Sequence, residues 1–390
     1  MFVSSGSWDS SMPDPSSKHV WETGRYTNRT GMVTGVIKQV PFQPIVFNGT
    51  IMERTEDEII AWTWANFLES GANISPETLV RFPMCKAVSK AMDLLTIIAS
   101  EKTEGLVNLE RFMVSGTSKR GWTTWLMPAA DQRVIAIAPI VLTCLNVNTN
   151  LHHYWRSLNN WTIAFFDYWA ERIPEWMDHP DLFTMLNYVD PYYYRDVLTV
   201  PKLIISGGKD EFFMPDDYDY FFGDLLGEKY LWVLENTGHD IKDGPLYDEV
   251  WTMLETYYIA IIKATTGAGY IQVTTGEPVE SVEVWMADTP DMVSPRRDFR
   301  NIVLGDGTEV ETGITYYRYN ATDLGSNTWR VDFDKPISGY KAFFLKLTFS
   351  YPEEGRTFTF TTTPNILSHD PEKYYPFEDC TLMECQGYLC

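Results

Sequence analysis

Basic residues are scarce in this chain of 390 residues. The 31 lysines and arginines stand against 53 aspartates and glutamates, which gives a net charge of −22 with histidine neutral. A field of that sign repels nucleic-acid phosphates and anionic lipid, and no local basic patch interrupts it. The composition therefore argues against a nucleic-acid partner and a polybasic membrane anchor.

Uninterrupted apolar segments are also short. The longest, 134–145, includes Pro139 and falls well below the roughly 20 residues that a helix needs to cross a bilayer. We therefore expect no membrane span. Hydrophobic residues at 44% and aromatic residues at 15% nevertheless allow a large core in two or three domains, which excludes a disordered chain.

Cysteine is the third scarce residue, with five in the chain. Cys85 and Cys144 stand apart, whereas Cys380, Cys385 and Cys390 crowd the C-terminus. Because the number is odd, at least one thiol is free or pairs with another chain. The terminal spacing fits no zinc knuckle, so a disulfide or free thiols are expected there.

Two signals bear on export. Acceptor triplets for N-glycosylation mildly favour a secreted glycoprotein; they begin at Asn28, Asn48, Asn73, Asn160 and Asn320. The first eight residues, Met-Phe-Val-Ser-Ser-Gly-Ser-Trp, have no basic start, no sustained apolar run and no cleavage site. We expect no signal peptide in the chain as written.

Short apolar runs alternate with helical patterns up to about residue 264, which is typical of βαβ units and a mostly parallel sheet. The helical patterns predict helices over 55–68, opened by a capping-box match at 55–58, and over 84–99, 118–130, 216–225 and 247–261. A Trp- and Tyr-rich, mainly helical stretch, 146–194, interrupts this rhythm at a common place for a substrate cap. From residue 265 the periodicity changes from 3.6 to 2, and short strands over 265–362 predict an immunoglobulin-like β-sandwich. The acidic, cysteine-bearing tail, 363–390, is expected to be unstructured or tethered by a disulfide.

The sharpest motif is Val-Ser-Gly-Thr-Ser-Lys-Arg-Gly-Trp, residues 114–122. A strand that turns sharply into a helix presents one side chain on an exposed apex, and flanking glycines let the two backbones approach closely. Ser118 occupies that apex, although Arg120 stands where the usual Gly-x-Ser-x-Gly pattern has its second glycine. A simple helix N-cap serine is the alternative for this motif taken alone.

Two later residues follow in the order serine, acid, histidine that α/β-hydrolases use. Asp210 and His239 each come after a predicted strand, where such a fold needs them. We predict Ser118 as the nucleophile, His239 as its base, and Asp210 as the acid that fixes the imidazole. Glu211 and Asp216 lie close by and are alternative acids.

An oxyanion hole needs donors as well. The backbone N–H of Lys119 is predicted as one, and the loop Ser5-Gly6-Ser7 supplies the other through Gly6 or Ser7. Lys119 or Arg120 adds positive charge there in one interpretation, although a buried ion pair is favoured for Arg120.

No metal or cofactor is expected. His152 and His153 are adjacent, yet no nearby Asp, Glu or Cys completes a plausible ligand set, so packing within the cap is favoured.

These residues resemble the PhoPQ-activated pathogenicity-related protein family, which includes eukaryotic members described as autocrine proliferation repressors. The matching segments are 39–44 (Gln-Val-Pro-Phe-Gln-Pro), 114–125, 190–196, 208–213, 238–239, 297–300 and 342–344. The Ser-Lys-Arg-Gly-Trp string is the most specific of them. It makes the displaced glycine a family trait.

The resemblance implies an exported α/β-hydrolase related to serine peptidases and esterases, with Ser118, Asp210 and His239 at the matching positions. Family members carry a signal peptide and further strands before the segment that aligns with 1–6. We therefore expect a doubly wound, mostly parallel α/β-hydrolase sheet that is shortened at its N-terminus to about six strands, with 36–47 exposed at its border. The β-sandwich follows it.

Two functions fit this sequence. The first is a serine hydrolase that cleaves a peptide or ester bond in a small-molecule or peptide substrate. The second is a secreted signalling or binding protein that uses the same fold to recognise a partner such as a cell-surface receptor. The intact triad favours the hydrolase.

Overall fold

The computed structural model describes residues 1–4, 6, 24, 27, 33–256, 262–267, 269–289, 297–305, 308–334, 336, 338–351 and 356–368. The chain forms two compact units whose segments alternate along the sequence. Unit 1 comprises 1–142, 167–202 and 225–227, and unit 2 comprises 143–166, 203–224 and 228–390. The domains predicted from the sequence, with boundaries after 264 and 362, divide the chain differently and stay a prediction.

Helices occupy the first two-thirds of the chain. They are α1 (Glu56–Glu69), α2 (Arg81–Lys102), α3 (Lys119–Ala130), α4 (Val147–Leu158), α5 (Phe166–Ala170), α6 (Pro180–Val189) and α7 (Tyr247–Thr256). Short 3₁₀ turns lie at Pro76–Thr78, Ile163–Phe165, Ile173–Trp176, Pro191–Tyr194, Asp217–Tyr220 and Ile241–Asp243.

Strands run through both units. They are β1 (Phe2–Val3), β2 (Val36–Ile37), β3 (Ile45–Val46), β4 (Glu53–Arg54), β5 (Phe112–Thr117), β6 (Val134–Ile140), β7 (Lys202–Gly207), β8 (Lys229–Leu234), β9 (Ile262–Gly267), β10 (Tyr270–Thr275), β11 (Ser281–Asp288), β12 (Ile302–Gly305), β13 (Thr308–Glu311), β14 (Tyr317–Asn320), β15 (Thr322–Gly325), β16 (Thr328–Asp332), β17 (Tyr340–Tyr351), β18 (Arg356–Thr361) and β19 (Asn365–Ser368).

The sheet of unit 1 is parallel, in the order β2, β1, β5, β6. Strands β1 and β6 are wholly apolar in sequence, as expected when helices cover both faces of a sheet, whereas β5 ends in Ser115, Gly116 and Thr117. Phe2 of β1 pairs with Val36 on one side and with Ser115 on the other. Within the described part of unit 1, β2 is the last strand of this order, which is the border position predicted for 36–47. Strand β3, also within 36–47, instead forms a separate hairpin with β4.

The first helix begins as its sequence predicts. The backbone N–H of Thr55 donates to Oε2 of Glu58 at 2.9 Å, which is half of the predicted capping box. Helix α1 then buries one apolar face, including Trp64 and Phe67. Helix α2 extends three residues beyond each predicted end, and α3 runs from Lys119 to Ala130 as the elbow motif predicts.

In unit 2 the neighbouring strands β7 and β8 are followed in the sheet by antiparallel strands. Strand β18 pairs antiparallel with β8, and β17, β11 and β14 follow in order, with β19 also paired to β17. A second antiparallel sheet has the order β15, β16, β10, β9. The sequence predicted these alternating strands but not the pairing of β18 with β8.

One predicted helix is wrong. The stretch 216–225 forms only the 3₁₀ turn Asp217–Tyr220, because its acidic and aromatic side chains turn inward to hydrogen-bond with α4 instead of forming an amphipathic face. Helix α7 is described as far as Thr256, and 257–261 of its predicted extent lie outside the described residues. In the part of the chain that the structure describes, no helix is long and apolar enough to span a bilayer.

Of the five cysteines, Cys85 and Cys144 are buried. The predicted disulfide or free thiols at Cys380, Cys385 and Cys390 lie outside the described residues.

Candidate active site

Ser118 stands in unit 1 at the turn between β5 and α3. Its backbone has φ 53° and ψ −127°, which is a sparsely populated conformation for a residue with a side chain and is typical of strained functional turns. The Ser118 N–H donates to the carbonyl of Ile140 at 2.8 Å. The side chain does not cap α3, so the simple N-cap interpretation does not describe this turn.

Two glycines make this turn possible. A Cβ on Gly116 would lie 2.8 Å from the carbonyl oxygen of Arg120, and one on Gly121 would lie 3.0 Å from the carbonyl oxygen of Ile140. The glycine is thus needed at 121, where α3 approaches β6. Position 120 is left free to carry a long side chain.

The two cations after Ser118 are buried and paired. Lys119 Nζ lies 3.0 Å from Glu56 Oε2 and 2.6 Å from Asp57 Oδ2. Arg120 donates to both oxygens of Glu56, at 2.6 and 3.1 Å. Burial alone would raise the pKa of Glu56, but the hydrogen bond from Arg120 and the charges of Lys119 and Arg120 outweigh it and lower the pKa to about 2. Arg120 therefore has the buried ion pair that the sequence favoured.

Asp210 and His239 meet in unit 2. Both carboxylate oxygens of Asp210 lie 2.9 Å from Nδ1 of His239, and one of them also accepts from the backbone N–H groups of Phe212 and Phe213 at 2.8 and 3.1 Å. Since a carboxylate can only accept, Nδ1 carries the proton and Nε2 is left as the basic nitrogen. Asp210 is 3% exposed, so this pairing is shielded from water.

The loops that carry this pair are tightly joined. A Cβ on Gly207, at the end of β7, would lie 2.5 Å from the carbonyl oxygen of Thr237, and the Lys209 N–H donates to the same carbonyl at 3.0 Å. This close approach holds the residue after β7 against the loop after β8.

Glu211 contacts the histidine at its backbone. Its Oε2 accepts the His239 N–H at 2.6 Å, and a Cβ on Gly238 would lie 2.8 Å from its Oε1. Burial, and to a lesser degree the charge of Asp210, raises the pKa of Glu211. Of the two acids that follow β7, Asp210 contacts the imidazole of His239, and Glu211 accepts a hydrogen bond from its backbone N–H.

Asp216, the other alternative acid, belongs to a different cluster. It pairs with Arg297 and lies 3.1 Å from Nε2 of His153, whose Nδ1 lies 3.1 Å from the hydroxyl of Tyr220. Burial outweighs the charge of Asp216 and lowers the pKa of His153. Asp216, which is 63 residues from His153 in the sequence, is thus the acid that contacts the second of the paired histidines. Among the described residues no cluster of His, Cys, Asp and Glu could hold a metal ion.

The remaining predicted site residues are the second oxyanion donor and the glycosylation acceptors. Gly6 follows β1 with φ 132°, and Ser5 and Ser7 lie outside the described residues, as does the acceptor Asn28. The other glycosylation acceptors are accessible: Asn48, Asn73 and Asn320 are exposed and Asn160 is partly so. Ser118 and Lys119 belong to unit 1, and Asp210 and His239 to unit 2.

These features define an α/β-hydrolase fold: mixed α/β, with a mostly parallel central sheet, a strained serine between strand and helix, and C-terminal antiparallel strands. The family model described as PhoPQ-activated pathogenicity-related protein matches residues 1–300, and the chain belongs to this family. It is 32% identical over 374 residues to autocrine proliferation repressor protein A of Dictyostelium discoideum, an alignment that covers 90% of this chain and 73% of that protein.

Two solved structures to which the chain is similar are acetyl xylan esterases. An acetyl xylan esterase from Paenibacillus sp. R4 is 14% identical, with a TM-score of 0.44, and acetyl xylan esterase 1 from Thermoanaerobacterium sp. JW/SL YS485 is 15% identical, with a TM-score of 0.42. Each alignment covers 66% of this chain and 74% of the other.

Proposed function

We propose that this chain is a serine hydrolase that cleaves an ester or peptide bond through an acyl-enzyme formed on Ser118. The observation that carries the proposal is the pairing of Asp210 with His239 at 2.9 Å, which fixes the tautomer that a general base needs. The strained backbone of Ser118 supports it independently, because such a conformation is typical of nucleophile elbows.

In the proposed mechanism His239 Nε2 removes the proton of Ser118 Oγ as the oxygen attacks the carbonyl carbon. The tetrahedral oxyanion is stabilised by backbone N–H groups, with Lys119 as one donor and the loop at Gly6 and Ser7 as the other. Collapse breaks the scissile bond, and His239 returns the proton to the leaving group. Water then repeats these steps on the acyl-enzyme and releases the acid. Asp210 stays ionised throughout and stabilises the imidazolium.

The substrate that we propose is a small-molecule or peptide ester or amide, met outside the cell. Exposed acceptors at Asn48, Asn73 and Asn320 support a secreted glycoprotein, as does the name of the relative, an autocrine proliferation repressor.

Covalent labelling tests the hydrolase. We expect a fluorophosphonate probe to label the full chain at one residue and Ser118→Ala to abolish the label. Ser115→Ala is a matched control three residues earlier; its buried hydroxyl only donates to the Ala138 carbonyl at 2.8 Å, so labelling should persist. A folded wild-type chain that does not react with the probe would overturn the proposal.

The second candidate is a secreted signalling protein that represses proliferation, and the name of the 32% identical relative is the observation that favours it. A growth assay separates the two. If Ser118→Ala represses growth as strongly as the wild type, recognition and not catalysis carries the activity.

A further inference from the structure

We propose that Glu56 and Arg120 are positioning residues for the oxyanion hole: their ion pair clamps the start of α3 to the loops around Val40 and Ser4. This inference rests on the proposed hydrolase. It assigns a purpose to the matching segment 39–44 and to Arg120 in the elbow motif, neither of which belongs to the triad.

Glu56 is held from both sides. Arg120 donates to its two oxygens at 2.6 and 3.1 Å, Gln43 Nε2 donates to Oε1 at 2.6 Å, and the Glu56 N–H donates back to Gln43 Oε1 at 2.9 Å. The backbone of Glu56 has φ 48°, in the left-handed region that is strained for a residue with a side chain. Such a conformation persists only where the surrounding contacts over-determine it.

Arg120 extends the clamp to the loop after β1. Its Nε donates to the carbonyl of Val40 at 2.5 Å, the Val40 N–H donates to the carbonyl of Ser4 at 3.3 Å, and the Ser4 N–H donates to Ile37 at 2.9 Å. Ser4 is two residues before Gly6, the proposed second donor. One guanidinium therefore connects the helix that carries the first oxyanion donor with the loop that carries the second.

Lys119 is fixed at its side chain and its carbonyl. Its ammonium contacts Glu56 and Asp57, and its carbonyl accepts from Arg81 Nη1 at 2.7 Å. The ammonium is thus committed to two carboxylates, and the backbone N–H of Lys119 is the group that we propose as the oxyanion donor. Because a misplacement of about 1 Å can cost about a hundredfold in rate, holding this peptide still is a catalytic requirement.

The other end of α3 offers a matched control. Asp131 pairs with Arg133 at 2.7 Å, and the hydrogen bond from Arg133 lowers the pKa of Asp131 to about 2, as low as that of Glu56. Asp131→Asn therefore removes an ion pair just beyond the C-terminal end of α3 without touching either oxyanion donor.

The experiment compares Glu56→Gln, Arg120→Lys and Asp131→Asn in the full chain. The second-order rate of fluorophosphonate labelling, kcat and KM for p-nitrophenyl acetate, and the melting temperature are measured for each. We expect the first two variants to label about tenfold or more slowly and to lose kcat with KM nearly unchanged, since the donors act on the tetrahedral state. Asp131→Asn should lose melting temperature but keep the wild-type labelling rate.

Folded Glu56→Gln and Arg120→Lys proteins that label as fast as the wild type would show that the pair is only structural and overturn the clamp. Loss of labelling in Asp131→Asn equal to that in Glu56→Gln would do the same, because the effect would then follow stability. If Glu56→Gln does not fold, Arg120→Lys tests the clamp instead. Lysine keeps the positive charge but cannot donate to the Val40 carbonyl and to both Glu56 oxygens at once. An unlabelled wild type overturns the proposed function itself, and the clamp with it.

Discussion

Asp210 presents both carboxylate oxygens to one nitrogen of His239, each 2.9 Å from Nδ1, while two backbone N–H groups hold the carboxylate from behind. The imidazole can therefore keep only one tautomer. This relationship yields the most direct prediction for catalysis.

We expect Asp210→Asn to lower kcat by about 10⁴, because the amide offers a donor to Nδ1 and favours the wrong tautomer. KM for p-nitrophenyl acetate should change little. The control is Asp240→Asn: Asp240 is next to His239 in the chain, but its carboxyl is 60% exposed. A kcat within threefold of wild type in Asp210→Asn would show that this acid has no catalytic role.

A second prediction concerns the backbone of His239. Glu211→Ala removes the carboxylate that accepts the His239 N–H and so loosens the loop, and we expect kcat to fall about tenfold. Glu211→Gln keeps an acceptor oxygen and should stay within about threefold. Gly238→Ala should reproduce the loss, since its Cβ would lie 2.8 Å from Glu211 Oε1. Wild-type kcat in Glu211→Ala would rule out a positioning role.

The elbow glycine gives a prediction for stability. In Gly116→Ala the added Cβ would lie 2.8 Å from the Arg120 carbonyl oxygen, a backbone atom that cannot rotate away as a side chain could. We expect a loss of about 1 to 3 kcal/mol in the free energy of unfolding, measured by denaturant titration, together with slower labelling. Gly223→Ala, which meets no atom within 4 Å, should not destabilise the protein. Equal stability of the two variants would contradict the crowding argument.

The half-buried carboxyl of Asp167 should make the free energy of unfolding depend on pH. Burial, and then the charges of Asp57 and Glu58, raise its pKa from 3.8 to about 6. A raised carboxyl pKa means that the folded state binds the proton more tightly, so this group's contribution to stability falls as pH rises from about 4 to 6. Asp167→Asn should be more stable than wild type at pH 7 by about 1 kcal/mol, after discounting the shift for partial exposure, and equal to it near pH 4. A stability difference that is the same at both pH values would contradict this prediction.

The sequence predicts features that depend on neighbours along the chain. The helix after Ser118, the strand before it and the placement of Asp210 and His239 after strands all follow from local periodicity and residue order. The capping box at Thr55 is likewise contained in four residues.

Contacts between distant segments could not be predicted. Glu56 and Arg120 are 64 residues apart, and nothing in the composition of α1 marks its first residue as the partner of the elbow. His153 and Asp216 are 63 apart, and burying Asp216 is what prevented the helix expected at 216–225. Periodicity reports which face of an element is apolar but not which buried charge it meets.

The pairing of β18 with β8 bears on any attempt to produce the two halves of this protein separately. Val233 of β8 donates its N–H to the hydroxyl of Thr361, and Glu235, which is 5% exposed, pairs with Lys346 of β17. A chain cut near residue 264 would bare the hydrogen-bonding edge of β8 and leave a buried carboxylate without its cation. Such a fragment should aggregate when expressed, so the antiparallel strands serve as a cover for the hydrolase sheet and not as a detachable appendage.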